Sequence, residues 1–222
     1  MTATQPARRE LGVLTGVVFV LLWLAGTFVP GASDVAFPRP TDDMETVRRS
    51  IEASASTLEK GAGLQILAGI ALLWFAATFA GYLRRRGANA ELVLAGGVTA
   101  AATLLFSAAG NVAMGTDLAT NAVSAQLLYQ LSFWTGGPIH VAALGTMIAA
   151  GALASGLPKW VTVPGIVIGG LGMLASFSAL VSQMTLFTPI GRFLGFFWIL
   201  VATIMIAARR PAEVDTAEPV RV

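Results

Sequence analysis

The feature that most constrains this chain is an uncharged tract from Ala119 to Leu157. If wholly helical, it would be about 58 Å long, nearly twice a hydrocarbon core of ~30 Å. A single straight membrane crossing is therefore excluded. The segment Thr135-Gly136-Gly137-Pro138 supplies a break, because proline removes a backbone donor and glycine weakens a helix. The tract predicts two consecutive helices or one sharply kinked helix.

The two halves of this tract differ in polarity. Before the break, apolar side chains recur at helical spacing on one face, and polar side chains fill the rest. The apolar face comprises Val123, Leu127, Leu131 and Trp134. After the break, the stretch from Ile139 to Leu157 is almost uniformly apolar and long enough to cross a membrane. Its histidine, His140, therefore lies within a turn of a proline and near one membrane face.

Composition places the chain among integral membrane proteins. It is 55% hydrophobic and 12% charged, whereas an ordinary soluble domain has roughly 25% charged residues. The absence of cysteine excludes disulfides, thiolate nucleophiles and cysteine-ligated metals. A single histidine excludes a bis-histidine haem or a multi-histidine zinc site within one chain. We therefore expect no metal and no cofactor, and we attribute the pI near 9.5 to arginines flanking the spans rather than to nucleic-acid binding.

The apolar runs predict an all-α, polytopic membrane bundle of six transmembrane helices. The predicted crossings are residues 11–29, 61–83, 92–114, the broken segment 119–157, 161–183 and 188–208. The first run resembles a signal peptide but lacks a small-residue cleavage site, so we expect an uncleaved span and keep a signal peptide as the alternative. Residues 1–210 form one predicted domain, and residues 211–222 a disordered cytoplasmic tail.

The distribution of basic residues predicts the orientation. An even number of crossings puts both termini on one side. With cytoplasmic termini, the inner segments carry nine of the 14 Lys and Arg residues, and four of the other five lie in one acidic outer loop. We therefore expect a plasma-membrane protein with both termini in the cytoplasm.

The hydrophilic stretch between the first two spans predicts an extracytoplasmic amphipathic helix. The pattern Asp42-x-x-Glu45 is typical of a capping box, and Met44, Val47, Ile51 and Leu58 then recur at helical spacing. The helix is either a lid or docking element, or a plain surface connector.

Small residues predict the helix contacts. Gly165-x-x-x-Gly169 and Gly191-x-x-x-Gly195 permit close backbone approach, which holds helices together in lipid. They serve packing within the bundle, or alternatively a homo-oligomer or a partner membrane protein.

Ionisable groups are absent from the middle of every predicted span. This argues against proton-driven transport and against paired-carboxylate hydrolysis, so we expect a non-enzyme. Two alternatives remain open. His140 with Met114, Met147 or Met184 offers a His/Met haem ligand pair, and Ser176 or Ser178 offers a nucleophile beside His140 without a third, orienting group.

The remaining polar residues in the spans suggest a site at the outer end of the bundle. The candidate ligand-binding residues are His140, Gln130, Asn111, Gln126, Tyr129, Gln183, Arg192 and Trp134. The alternative is that each amide bonds a neighbouring helix and that His140 bonds a carbonyl freed by Pro138.

Two segments resemble a known family. The segments Leu128-Tyr129-x-Leu131-Ser132 and Leu157-Pro158-Lys159-Trp160, together with the acidic amphipathic helix, resemble small six-helix actinobacterial membrane proteins that share a domain of unknown function. In that family the second segment usually reads Leu-Pro-Arg-Trp. The resemblance implies the topology and carries no activity.

The functional prediction is an integral plasma-membrane protein that binds a small apolar or amphipathic ligand, a lipid or a partner membrane protein in an outward-facing pocket. The alternative is a small transporter or channel subunit for an uncharged solute. A lipid-modifying enzyme is the third reading.

Overall fold

The computed structural model describes residues 11–28, 38, 40–116 and 119–209, and the regular structure in these ranges is helical. The α-helices are α1 (Thr15–Phe28), α2 (Met44–Arg85), α3 (Glu91–Met114), α4 (Ala122–Trp134), α5 (His140–Ala154), α6 (Lys159–Leu174) and α7 (Phe187–Ala208). Six helical segments of the described chain are long and apolar enough to span a membrane, α4 and α5 together forming one of them. The predicted multi-pass helix bundle is confirmed. The predicted disordered tail lies outside the described residues.

The amphipathic segment before the second span is not a separate helix. It is continuous with that span in α2, which runs for 42 residues. The N-cap residue is Asp43 rather than the predicted Asp42, and its Oδ1 accepts hydrogen bonds from the N–H groups of Glu45 (3.1 Å) and Thr46 (2.9 Å). The Thr46 hydroxyl and N–H also hold the pKa of Asp43 below its usual value.

The predicted break in the fourth span is confirmed. One π-helical turn, Thr135–Ile139, separates α4 from α5, and inside it Gly137 has non-helical dihedral angles of φ −98° and ψ −105°. Pro138 has no N–H to donate to the preceding turn. The two helices therefore meet at a kink, where the missing N–H of Pro138 leaves a carbonyl of the preceding turn without its helical donor.

The fifth span ends earlier as an α-helix than the apolar run predicted. Helix α6 stops at Leu174, and two 3-10 turns, Ala175–Ala179 and Ser182–Leu186, lead into α7. The sequence stays apolar past Leu174, so the end of α6 could not be predicted from its composition.

The bundle packs α2 against α1 and α3, α5 against α3 and α6, and α7 against α6, α5 and α1. Its centre is aromatic and aliphatic. The rings of Phe75 and Phe79 stack with their centroids 5.5 Å apart, and the ring centroids of Phe79 and Trp198 are 6.4 Å apart. This core places α1, α3, α4 and α7 around one shared space at the end of the bundle opposite Leu11 and Ala208.

Candidate functional site

A cavity of about 220 Å³ lies between the helices at the end of the bundle where α1 and α3 finish and α4 and α7 begin. Its walls combine apolar and polar side chains from α1, α2, α3, α4, the π-turn and α7. The lining residues are Trp23, Gln65, Leu104, Ser107, Asn111, Met114, Tyr129, Ser132, Phe133, Gly136, Gly137, Thr188 and Arg192.

One wall is a chain of mutually hydrogen-bonded polar groups. Asn111 donates from Nδ2 to Gln65 Oε1 at 2.8 Å, and its Oδ1 accepts from Ser132 Oγ at 2.6 Å. Ser132 in turn lies 3.0 Å from Ser107, oxygen to oxygen. The hydrogen bonds join α2, α3 and α4, so this wall is a fixed polar surface whose groups satisfy one another.

The helix break shapes the neighbouring wall. Gly136 has no Cβ, and one there would collide with the Ser107 hydroxyl. The His140 N–H bonds to the carbonyls of Gly137 and Thr135, and the Gly136 carbonyl accepts a hydrogen bond from Arg192 Nη2 instead. The kink thus provides an acceptor that holds one nitrogen of a partly buried guanidinium.

The wall formed by α1 and α7 has three donors without a partner in the described chain. Arg192 lies over the Trp23 ring, 4.9 Å from its centroid, and its Nε is buried without a hydrogen-bond partner in the described chain. The same holds for Trp23 Nε1 and Thr188 Oγ1, whose residues are only 5% and 7% exposed. Each of these three atoms has a hydrogen to donate and no acceptor for it among the described residues.

The amphipathic start of α2 covers this end of the bundle. Val47, Ile51 and Leu58 pack in one cluster with Met114 and Tyr129, which also line the cavity. The segment therefore forms a roof over the cavity, the position that a lid or a fixed cover would occupy.

Three of the predicted site residues meet at the cavity: Asn111, Tyr129 and Arg192. Tyr129 contributes its ring, while its hydroxyl donates to the carbonyl of Pro38 at 2.5 Å. The topology alone placed Asn111 and Arg192 at the same end, and their predicted proximity agrees with the structure.

The other three predicted residues of α4 serve the surroundings of the cavity rather than its lining. Gln130 donates to the carbonyl of Pro40 at 2.7 Å and so ties the chain before α2 onto α4. Trp134 is half-buried, with its ring 5.7 Å from that of Phe133. Gln126 keeps its Oε1 buried without a described partner.

Two predicted site residues lie elsewhere. Gln183 is exposed on a 3-10 turn, because the fifth helix ends before reaching it. His140 is fully buried outside the cavity lining and hydrogen-bonds through Nδ1 to the carbonyl of Ala100 at 2.8 Å. The expected partner was a carbonyl freed by Pro138, but the observed partner belongs to α3.

The serine alternative has no supporting geometry. Ser176 donates to the carbonyl of Met173 at 2.7 Å and Ser178 to that of Ala175 at 2.6 Å, each within its own turn. The only hydrogen bond of the His140 ring within the described residues is to Ala100.

Sequence reasoning missed Gln65, Thr188 and the serine pair Ser107 and Ser132. Gln65 had a detectable signal, since it is the one amide in the apolar run 61–83. Thr188 and the serines had none, because hydroxyls in membrane helices ordinarily bond their own backbone.

No protein-family model, curated protein or solved structure matches this chain.

Proposed function

We propose that this multi-pass protein resides in the plasma membrane and binds a small amphipathic ligand or lipid in the cavity, without transforming it chemically. The observation that carries the proposal is the mixed lining: Leu104, Met114 and Phe133 offer apolar contacts beside the polar chain through Asn111. An apolar wall beside a few positioned polar groups is the usual make-up of a small-molecule site.

The size of the cavity fits this role. At about 220 Å³ it exceeds an engineered apolar cavity of about 150 Å³ that holds benzene. The head of an amphiphile and the first carbons of its tail fit within such a volume. A purely apolar ligand would leave the polar side unused.

The orientation in this proposal follows the positive-inside rule. The termini are cytoplasmic, and the cavity lies in the outward half of the bundle beneath the roof formed by α2. A ligand would therefore enter from the extracytoplasmic side or from the outer leaflet.

One feature favours a second candidate, a transporter or channel subunit for an uncharged solute. The break at Gly137 borders the cavity, and interrupted helices line the substrate sites of many transporters. Flux of a neutral solute into liposomes containing the purified protein would support this candidate over a binding protein.

Photolabelling tests the binding site. In phosphatidylcholine nanodiscs, a diazirine analogue of octan-1-ol should attach to cavity residues, and unlabelled octan-1-ol should compete. Leu104→Phe, which fills the cavity from a side chain only 1% exposed, should greatly reduce the cavity adducts.

Leu127→Phe is the matched control, because Leu127 is 65% exposed on the lipid-facing side of α4. This variant should keep the cavity adducts. Adducts confined to lipid-facing residues, or equal cavity labelling of both variants in folded protein, would refute the proposed binding site.

A further inference from the structure

Three residues that line the cavity each have a buried hydrogen-bond donor without an acceptor in the described chain. Arg192 Nε, Trp23 Nε1 and Thr188 Oγ1 are all buried, all belong to lining residues and all lack a described partner. Leaving a buried donor unpaired is unfavourable, and most buried polar atoms in proteins are paired. Three at one cavity indicate that an acceptor from outside the described chain completes the site.

The charge of the site also favours an acceptor from outside the described chain. Within the described residues, Arg192 forms no ion pair with a carboxylate, and its only compensating contacts are the Gly136 carbonyl and the Trp23 ring. Both contacts are with neutral groups. A partly buried cation without a counter-ion favours an anionic ligand over a neutral one.

The geometry of α7 brings the donors onto one side. Thr188 and Arg192 are four residues apart, so their side chains lie on the same helix face. Trp23 approaches from α1 with its ring beneath the guanidinium. The other wall, by contrast, has already paired Gln65, Asn111 and Ser132 with one another.

Building on the proposed function, we infer that the ligand's head is an anionic oxygen group, a carboxylate or a phosphate, bound by Arg192, Thr188 and Trp23. Arg192 supplies the charge and the Nε hydrogen, and Thr188 and Trp23 each supply one neutral donor. The apolar residues Leu104, Met114 and Phe133 contact the carbons next to the head. Two sources carry this chemistry: a free fatty acid and the head group of an anionic lipid.

Competition against the octanol photolabel tests the inference with matched chains. Octanoate differs from octan-1-ol in its head, and it should suppress cavity labelling at a concentration roughly tenfold lower or less, because charge-assisted hydrogen bonds are stronger than neutral ones. Octylamine should compete no better than octanol. Arg192→Gln should abolish the preference for octanoate, so that octanoate and octan-1-ol then compete at similar concentrations.

Two variants test the neutral donors while they keep the Arg192 charge. Thr188→Val and Trp23→Phe each delete one unpaired donor, so each should weaken octanoate competition several-fold. Thr188→Val should at the same time raise the melting temperature of the ligand-free protein, because it removes an unsatisfied buried hydroxyl.

Thr203→Val is the matched control. Thr203 lies on the same helix, is 0% exposed and has an Oγ1 without a partner among the described residues, but it does not line the cavity. This variant should raise the melting temperature in the same way and leave octanoate competition unchanged.

The outcomes separate the two proposals. Cavity labelling by octanol with no preference for octanoate or for phosphatidic acid would overturn the anionic head and leave the binding site standing. Absence of cavity labelling by the neutral probe would overturn the binding site itself. An octanoate preference unchanged in Arg192→Gln, Thr188→Val and Trp23→Phe would also overturn the inference.

The source of the anion is distinguished by the nanodisc lipid. If phosphatidic acid in the disc suppresses wild-type labelling but not that of Arg192→Gln, the head group is that of a membrane lipid. If octanoate suppresses wild-type labelling and phosphatidic acid does not, the ligand is a free carboxylate. Either result supports the anionic oxygen group.

Discussion

At the scale of single residues, two tryptophans within the spans show how a structural side chain differs from one that lines the cavity. The Trp198 indole donates to the carbonyl of Val161 at 2.9 Å across the α6 and α7 interface. The Trp23 indole is as deeply buried but has no described acceptor, and it lines the cavity. Because the two residues have the same chemistry, the missing acceptor at Trp23 reflects its position beside an open space.

His140 belongs with the structural side chains. Its Nδ1 lies 2.8 Å from the Ala100 carbonyl, and a carbonyl oxygen only accepts, so Nδ1 carries the hydrogen of this bond. We expect His140→Ala to lower the free energy of unfolding by about 2–5 kcal/mol, through the space left and the lost bond. Thermal denaturation in detergent measures the loss.

His140→Asn provides the internal comparison, since the asparagine amide can donate to the same carbonyl. It should recover about 1 kcal/mol of the loss. Both variants should keep the octanoate preference of the cavity. A His140→Ala protein with wild-type melting and no cavity labelling would place the imidazole in the ligand site instead.

At the scale of helices, α5 and α6 approach closely enough for their backbones to touch. A Cβ built on Gly145 would lie 2.5 Å from the Gly169 carbonyl oxygen, and one on Gly169 would lie 2.6 Å from the Gly145 oxygen. Neither oxygen belongs to a movable side chain. The small-residue motif of α6 therefore packs within the bundle, and this contact holds α5 in the position that the π-turn requires.

Gly169→Ala should destabilise the protein by about 1–3 kcal/mol, because the backbones must separate to admit the methyl group. Gly170→Ala is the adjacent control: no atom lies within 4 Å of a Cβ there, and alanine favours the helix by up to ~1 kcal/mol. Melting temperatures of the two variants should move in opposite directions. Equal shifts would mean that α5 and α6 are not in backbone contact.

The helix break was predictable from sequence and the site only in part, for physical reasons. Proline at position 138 acts locally on its own turn, so the break follows from the residues alone. The continuity of α2 could not be predicted in this way. The chain passes from polar to apolar surroundings within this helix, but its backbone hydrogen bonds continue unbroken.

The face of each span that points into the bundle could not be predicted from the sequence either. In lipid both faces of a helix are apolar, so periodicity does not tell which residues point into the bundle. Topology placed Asn111 and Arg192 at one end, but the rotation of each helix decided that Asn111 lines the cavity and His140 does not.

At the scale of the whole molecule, the two ends of the bundle differ in charge. At the end opposite the cavity, Arg209 bonds to the Tyr82 hydroxyl and the Gly156 carbonyl, both at 2.9 Å, near the run Arg84-Arg85-Arg86. At the cavity end, Arg48 pairs with Glu45 at 2.8 Å and with Glu52. Net positive charge is therefore concentrated at the end distant from the cavity.

This asymmetry predicts the orientation, and the lack of cysteine makes it directly measurable. We expect Glu59→Cys, at the cavity end, to react with a membrane-impermeant maleimide on intact cells, and Lys159→Cys, at the basic end, to react only after lysis. Both positions are exposed, so access through the membrane is the difference measured. The physical reason is that basic clusters are retained on the cytoplasmic side, whereas the ion-paired arginines of α2 contribute little net charge. The reverse labelling pattern would place the cavity toward the cytoplasm, and the anionic ligand would then have to come from the cytoplasm or the inner leaflet.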